Sequence, residues 1–341
     1  MNKTYTYSFL ALALTLVLCF FVNISLGSVS IPLKAVFNSL LNSNVEQQSW
    51  QHIILNYRLP KAITAIIVGS GLGISGLLMQ TLFRNPLAGP FVLGISSGAS
   101  LGVALVILGS GVFGGVLASL FVSKWGIVIA ASLGSFLVLL AVLMVSIRVR
   151  DTMAILIIGL MFASITAAIV SVLSYFGSAE QLQQYVFWGF GSLGNLSWSD
   201  LTIFLIIYVL GILASLCSIK SLNTLLLGEN YAKSLGLNIK KSRLIIIIAT
   251  SLLAGTITAF TGPIAFIGLA IPHLTRQIFN TSNHKILLPA VFLLGGIVML
   301  VCDSIAQLPN SDYTLPINAI TALIGAPVVI WLLVRKRGMV F

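Results

Sequence analysis

The sequence predicts an all-α polytopic membrane protein of about ten transmembrane helices, and three observations carry that prediction. Apolar residues make up 58% of the 341-residue chain and charged residues only 7%, against the quarter or so usual in soluble domains. Windows of about 20 residues with almost no charge, long enough to cross a bilayer, recur along the whole chain. The 18 basic and 7 acidic residues fall mostly in the short segments between those windows. No stretch is polar enough to form a separate soluble domain, so residues 1–341 read as a single transmembrane domain.

In chain order the spans fall at 8–27, 62–83, 91–109, 126–147, 153–175, 201–218, 244–260, 264–279, 287–305 and 317–334. The first follows Lys3 and resembles a signal peptide. Its apolar run continues through Ile24 and Leu26 with no convincing cleavage site, so it reads as an uncleaved first helix. The third span is rich in glycine and the eighth is short. Gly69 and Gly73 in the second span, and Gly94, Gly98 and Gly102 in the third, recur at the four-residue spacing that lets helix backbones approach closely. Gly71-Leu72-Gly73-Ile74-Ser75-Gly76 also matches the dinucleotide fingerprint in form. It lies inside an apolar crossing with no strand before it, which excludes that reading.

The charges orient the spans. Lys3, Arg84, Arg148, Arg150, Lys220, Lys233, Lys240, Lys241, Arg243, Arg276, Lys285, Arg335, Lys336 and Arg337 fall on one side; only Lys34, Arg58, Lys61 and Lys124 fall on the other. The positive-inside rule then places both termini in the cytoplasm. Glu46, Glu180, Asp200, Asp303 and Asp312 fall outside, in agreement. Two longer connections interrupt the tight turns. An external one, about 177–200, carries Tyr185, Phe187, Trp188, Phe190 and Trp198, a pattern suited to a short interfacial helix. The other, about 219–243, is cytoplasmic.

Gly89-Pro90-Phe91-Val92-Leu93-Gly94-Ile95 recurs loosely as Gly262-Pro263-Ile264-Ala265-Phe266-Ile267-Gly268-Leu269. An odd number of crossings separates the copies, so equivalent elements have opposite orientation. That predicts an inverted repeat of spans 2–5 and 7–10, an arrangement common in transporters.

Several functions are excluded or disfavoured. The net charge of +11 is scattered over loops and not gathered on one face, so it describes orientation and not nucleic-acid binding. Cys19, Cys217 and Cys302 lie in apolar runs without CxxC spacing, and His52, His273 and His284 show no metal-ligand spacing, so no metal site is expected. No G-x-x-x-x-G-K-[ST] occurs, so the chain cannot hold ATP by a P-loop. Asp303 is the only acid within a span, and it sits near the outer end of the ninth; ion-coupled carriers usually keep a charge near mid-bilayer. A transporter without that charge draws its energy from a partner, and nothing supports an enzyme.

Other residues carry a resemblance. In order come Arg58-Leu59-Pro60-Lys61, Gly73-Ile74-Ser75-Gly76-Leu77-Leu78-Met79-Gln80, Arg84-Asn85-Pro86-Leu87-Ala88 and Leu93-Gly94-Ile95-Ser96-Ser97-Gly98-Ala99. Then follow Trp188-Gly189-Phe190-Gly191-Ser192-Leu193, Leu227-Gly228-Glu229 with Ala232 and Leu235-Gly236-Leu237, Phe266-Ile267-Gly268-Leu269-Ala270-Ile271-Pro272-His273 and Gly325-Ala326-Pro327. From about residue 50 onward the chain resembles the permease subunit of ABC importers for iron-siderophores, haem and cobalamin, the FecCD type with the ten-helix type II fold.

The resemblance implies a permease in the cytoplasmic (inner) membrane, working as a dimer with an identical or related copy. It implies two cytoplasmic ATPase subunits that use ATP and Mg, and an external substrate-binding protein; this chain itself binds no cofactor. It also implies three sets of residues. Leu227, Gly228, Glu229, Ala232, Leu235, Gly236 and Leu237 look like the family's ATPase-coupling helices. Arg58 and Lys61 match cations that dock the binding protein, with Lys where the family has a second Arg and hence without its bidentate geometry. Asn85, Pro86 and Leu87 look like part of the cytoplasmic gate, with Thr152 near the same constriction and Thr166, Ser171 and Ser174 facing the pathway. Interface snorkelling for the cations and a purely structural turn at Asn85–Leu87 stand as alternatives. The cargo expected first is a ferric siderophore, with haem and cobalamin behind it. An ion-coupled secondary carrier is the rival class, and a membrane assembly protein a further one.

Overall fold

The computed structural model describes residues 3–29, 31–41, 47–110, 122–148, 152–308, 311 and 313–334. Glu46, Arg150, Asp312, Arg335, Lys336 and Arg337 lie outside the described residues, as do the side chains of Leu93, Arg148 and Thr152. All regular structure among the described residues is helical.

Each predicted span contains a helix. They are α1 (Lys3–Ser25), α4 (Leu59–Leu82), α5 (Ile95–Ile107), α6 (Lys124–Arg148), α7 (Thr152–Phe176), α9 (Trp198–Cys217), α12 (Ile239–Thr261), α13 (Ile267–Phe279), α14 (His284–Ala306) and α15 (Ile317–Val334). Between them lie the short helices α2 (Leu33–Leu40), α3 (Gln48–Ile53), α8 (Ala179–Gly189), α10 (Ile219–Leu225) and α11 (Glu229–Ser234). Seven described helices are long and apolar enough to cross a membrane. The third and eighth spans are shorter than predicted: α5 and α13 have 13 residues each, or about 20 Å against a hydrocarbon core of about 30 Å. The physical reason is the Gly-Pro dipeptide at the head of each. Pro90 opens a 3-10 turn over Pro90–Leu93, and the chain after Gly262-Pro263 stays irregular up to α13, because proline cannot donate to a preceding turn.

The chain forms two compact units, neither continuous in sequence. The first comprises Met1–Ile74, Ser192–Ile206 and Ile264–Val340. Here α4 lies so close to α14 that a β-carbon on Gly69 would collide with the Gly295 carbonyl, and one on Gly295 with that of Gly69. The second comprises Ser75–Gly191 and Ile207–Pro263. Its core joins Ala99, Val103 and Ile107 of α5 to Val128 and Ala131 of α6 and Ala259 of α12. Gly98 and Gly134 oppose each other backbone to backbone, and Gly102 faces the Ala130 carbonyl. The predicted glycine spacing therefore serves direct backbone approach, where dispersion at short range holds helices together in lipid.

The aromatic segment at about 177–200 contains the predicted short helix, α8. Ser178 and Gln181 cap α8 reciprocally. Gln181 Nε2 donates to Ser110 Oγ at 2.9 Å, and the hydroxyls of Tyr185 and Ser100 are bonded, which lays α8 against α5.

Gly134→Leu is expected to destabilise the protein by about 3 kcal/mol or more through overpacking, read from unfolding in mixed detergent micelles. Gly189→Ala, where nothing lies within 4 Å of the added carbon, is expected to leave the transition unchanged.

Candidate functional site

In the second unit, residues 219–237 form two short helices, α10 and α11, broken by glycine. The N–H groups of Leu227 and Gly228 donate to Thr224 and Leu225 at 3.2 and 3.0 Å, closing the end of α10. Gly228 has φ 100 and ψ 151, a region open in practice only to glycine. The chain then enters α11, with Ala232 N–H bonded to the Gly228 carbonyl at 2.9 Å. Gly236 (φ 81) ends it: Gly236 N–H donates to Lys233 O at 2.9 Å and Leu237 N–H to Ala232 O at 3.0 Å, a Schellman cap with glycine in the left-handed position.

Ala232 is fully buried and anchors this pair of helices, whereas Leu227, Tyr231 and Leu235 are exposed. Tyr231 and Leu235, four residues apart on α11 and its C-cap, share one side of that helix, and Leu227 precedes it in the turn before Gly228. Glu229 ties the segment to the first turns of α12 through Arg243 Nη2 at 3.2 Å. A cleft of about 660 Å³ is lined by Leu227, Gly228, Glu229 and Tyr231, and by Phe83 and Arg84 from the end of α4.

That end of α4 is a second Schellman cap. Arg84 N–H donates to Thr81 O at 3.3 Å and Asn85 N–H to Gln80 O at 3.1 Å. Here arginine, with φ 46, takes the left-handed position, at a cost of about 1–2 kcal/mol for a residue with a β-carbon. Asn85 Oδ1 then accepts the Leu87 N–H at 2.9 Å, so the side chain closes the turn that Pro86 would otherwise leave open. Leu87 is exposed.

Along α7, Thr166 is buried and Ser171 exposed, with Ser174 between these extremes. The Thr166 and Ser171 hydroxyls donate to the Ala163 and Ala167 carbonyls of the same helix at 2.8 and 3.0 Å. These residues therefore do not share one open face. Thr152 begins α7.

In the first unit, Arg58 and Lys61 leave a π-helical turn, Ile54–Arg58, and the start of α4. Arg58 Nη1 donates to the carbonyls of Ile24 and Ser25 at 2.9 Å each, and Nη2 to that of Val29. The guanidinium thus serves the last carbonyls of α1, which have no partner within the helix. Lys61 Nζ pairs with Asp303 Oδ1 at 3.0 Å. Asp303, almost fully buried, also accepts from Asn23 Nδ2 at 2.9 Å and Gln307 Nε2 at 2.7 Å. Each cation has internal partners that the sequence reading does not anticipate.

The segment 219–237 is thus tied to α12 by Arg243, and the Asn85–Leu87 turn closes the end of α4. A model of the FecCD transport family matches residues 15–335. The chain belongs to that family. The hemin transport system permease protein HmuU of Yersinia pestis is 35% identical over 318 residues, 93% of each chain. The vitamin B12 import system permease protein BtuC of Klebsiella pneumoniae is 39% identical over 290 residues, 84% of each. Among solved structures, a metal-chelate type ABC transporter in an inward-facing conformation superposes with a TM-score of 0.82 at 31% identity, covering 98% of this chain and 100% of that one. The FecCD match extends N-terminal to the motifs, into α1. It establishes a multi-pass membrane protein of the ABC importer permease class with the type II fold.

Three residues of this FecCD chain carry no local sequence signal. Arg243 meets Glu229 only because α11 folds back on α12. Asn23 reaches Asp303 from the other end of the chain, and Asn318 Oδ1 accepts the Ala265 N–H at 3.0 Å. Arg84 does carry a signal, since it precedes Asn-Pro at the end of an apolar run, where a helix stop is due.

Lys61→Ala strands a buried carboxylate and is expected to cost about 3 kcal/mol. This is the low end for a buried pair, because Asn23 and Gln307 still serve Asp303. Adding Asp303→Asn is expected to recover most of that loss in a double-mutant cycle read by unfolding in detergent.

Proposed function

We propose that this chain is the translocation subunit of an ATP-driven importer for an iron chelate, a ferric siderophore first and haem or cobalamin next. The observation that supports this reading is the exposure of Leu227, Tyr231 and Leu235 on a segment braced by Gly228, Gly236 and the Glu229–Arg243 pair. Exposed apolar side chains on a braced segment in a loop rich in lysine suit a protein partner. We assign it to a cytoplasmic ATPase, one of two serving a permease dimer in the inner membrane.

On this reading both termini face the cytoplasm and the whole chain acts as one permease domain. ATP and Mg are bound by the ATPase, and this chain binds no cofactor. Arg58 and Lys61 seat an external binding protein. Their internal partners hold them in place, and Lys61, with 23% of its side chain exposed, presents part of its charge to an acidic partner. Asn85, Pro86 and Leu87 with Thr152 form the inner gate. Of the hydroxyls on α7, exposed Ser171 is best placed to face the pathway, ahead of Ser174 and Thr166. Specificity among chelates rests with the binding protein.

The test is uptake of radiolabelled ferric siderophore, haem and cobalamin by proteoliposomes holding this permease with its cognate ATPase and binding protein. ATP-dependent accumulation of one cargo is expected, and Gly228→Val is expected to abolish it together with ATPase recruitment. Accumulation driven by an ion gradient without ATP would overturn the proposal in favour of a secondary carrier.

A further inference from the structure

We infer that Arg84 is a positioning residue that transmits movement of the Gly228–Glu229 segment to the Asn85–Leu87 turn; the inference rests on the transport reading above. Two Schellman caps stand in the same unit and differ in one respect. Where the chain needs only to stop a helix, at the end of α11, glycine takes the left-handed position as Gly236 (φ 81); at the end of α4 the same position is held by Arg84 (φ 46). A strained arginine where glycine would serve implies that the side chain is used.

Its position shows for what. The Arg84 guanidinium lies over Gly228, with Nη1 3.4 Å from the point where a β-carbon on Gly228 would project. Gly228 is needed for its backbone conformation, and the guanidinium sits within van der Waals reach of it. At the next residue of the same segment, Glu229 is tied to Arg243 of α12 at 3.2 Å. The segment is thus bracketed by two arginines, one at the foot of α12 and one at the foot of α4.

Arg84 is also the residue immediately before the Asn85–Leu87 turn, which the Asn85 Oδ1 to Leu87 N–H bond closes at 2.9 Å. A displacement of Gly228 pushes on the guanidinium, and the attached backbone is the pivot of that turn. No intervening helix has to bend. The path from exposed Leu227 and Tyr231 to the turn runs through one side chain and one residue of backbone.

The full chain reconstituted with its cognate ATPase and binding protein tests this with Arg84→Gly, Arg84→Ala and Arg84→Lys. Arg84→Gly relieves the backbone strain and keeps the cap, so its thermal stability is expected to equal or exceed that of the wild type. Cargo moved per ATP hydrolysed is expected to fall at least about fivefold in the Gly and Ala variants, with partial recovery in Lys. A thiol placed by Leu87→Cys, in a chain freed of its three native cysteines, is expected to change reactivity with ATP when Arg84 is present and to lose that response in Arg84→Gly. The inference is overturned if the ratio and the thiol response are unchanged. It is equally overturned if lost ATPase binding accounts in proportion for lost uptake, which would make Arg84 a docking residue. A wild-type complex without ATP-driven uptake overturns the transport reading itself, a result distinct from either.

Discussion

Backbone polar groups have no water to turn to inside a bilayer, so wherever a helix stops at membrane depth the protein must supply the missing partner. This constraint organises the molecule, because several of its helices stop or start at Gly-Pro or Asn-Pro. The end of α1 is served by Arg58, whose guanidinium takes the carbonyls of Ile24, Ser25 and Val29. The irregular stretch before α13 is served by Asn318, which takes the Ala265 N–H. The end of α4 is served by its own backbone through Arg84 and Asn85. In two of the three cases, at Arg58 and at Arg84 with Asn85, the residue that satisfies the break belongs to or adjoins a proposed working part of the permease.

The same device appears at the head of each short helix. α5 is entered from Gly94 (φ 73) and α13 from Phe266 (φ 66), both left-handed. Gly94 sits under α7, where a β-carbon would lie 3.3 Å from the Gly159 carbonyl. Phe266 sits against α15, its β-carbon occupying the space left by Gly325. One copy places glycine at the kink and the other places glycine opposite it. The recurrence of kink, short helix and facing glycine in corresponding positions is the structural content of the inverted repeat, since short, interrupted helices in matching halves mark the working core of many transporters.

Buried charge is arranged for position more than for net stability. The Lys61–Asp303 pair links α4 to α14, and Asn23 brings in α1, so three helices meet at one carboxylate. An ion pair removed from water contributes little net free energy, but it penalises any arrangement that separates its members. The Glu229–Arg243 pair does the same for the Gly228–Glu229 segment at a more exposed place, where its value is the fixed orientation of α11 against α12.

Composition and charge placement by themselves determined the membrane class and the order of the spans, whereas the Gly228-centred segment stood out only through the family resemblance of its residues. Hydrophobic length, loop charge and glycine spacing are all local, and each needs only a few neighbouring residues to be read. Helix ends at Gly89-Pro90 and Gly262-Pro263 were legible as breaks, though the shortened α5 and α13 followed only from where the chain resumes its helical bonds. The partners of Arg58, Lys61, Glu229 and Ala265 were decided by tertiary structure alone, since Ile24, Asp303, Arg243 and Asn318 come from distant elements. Arg84 stands between these cases. Its place at a helix stop was readable, but its left-handed backbone and its seat over Gly228 required the fold, because only packing of α4 near α11 can hold an arginine where glycine costs less.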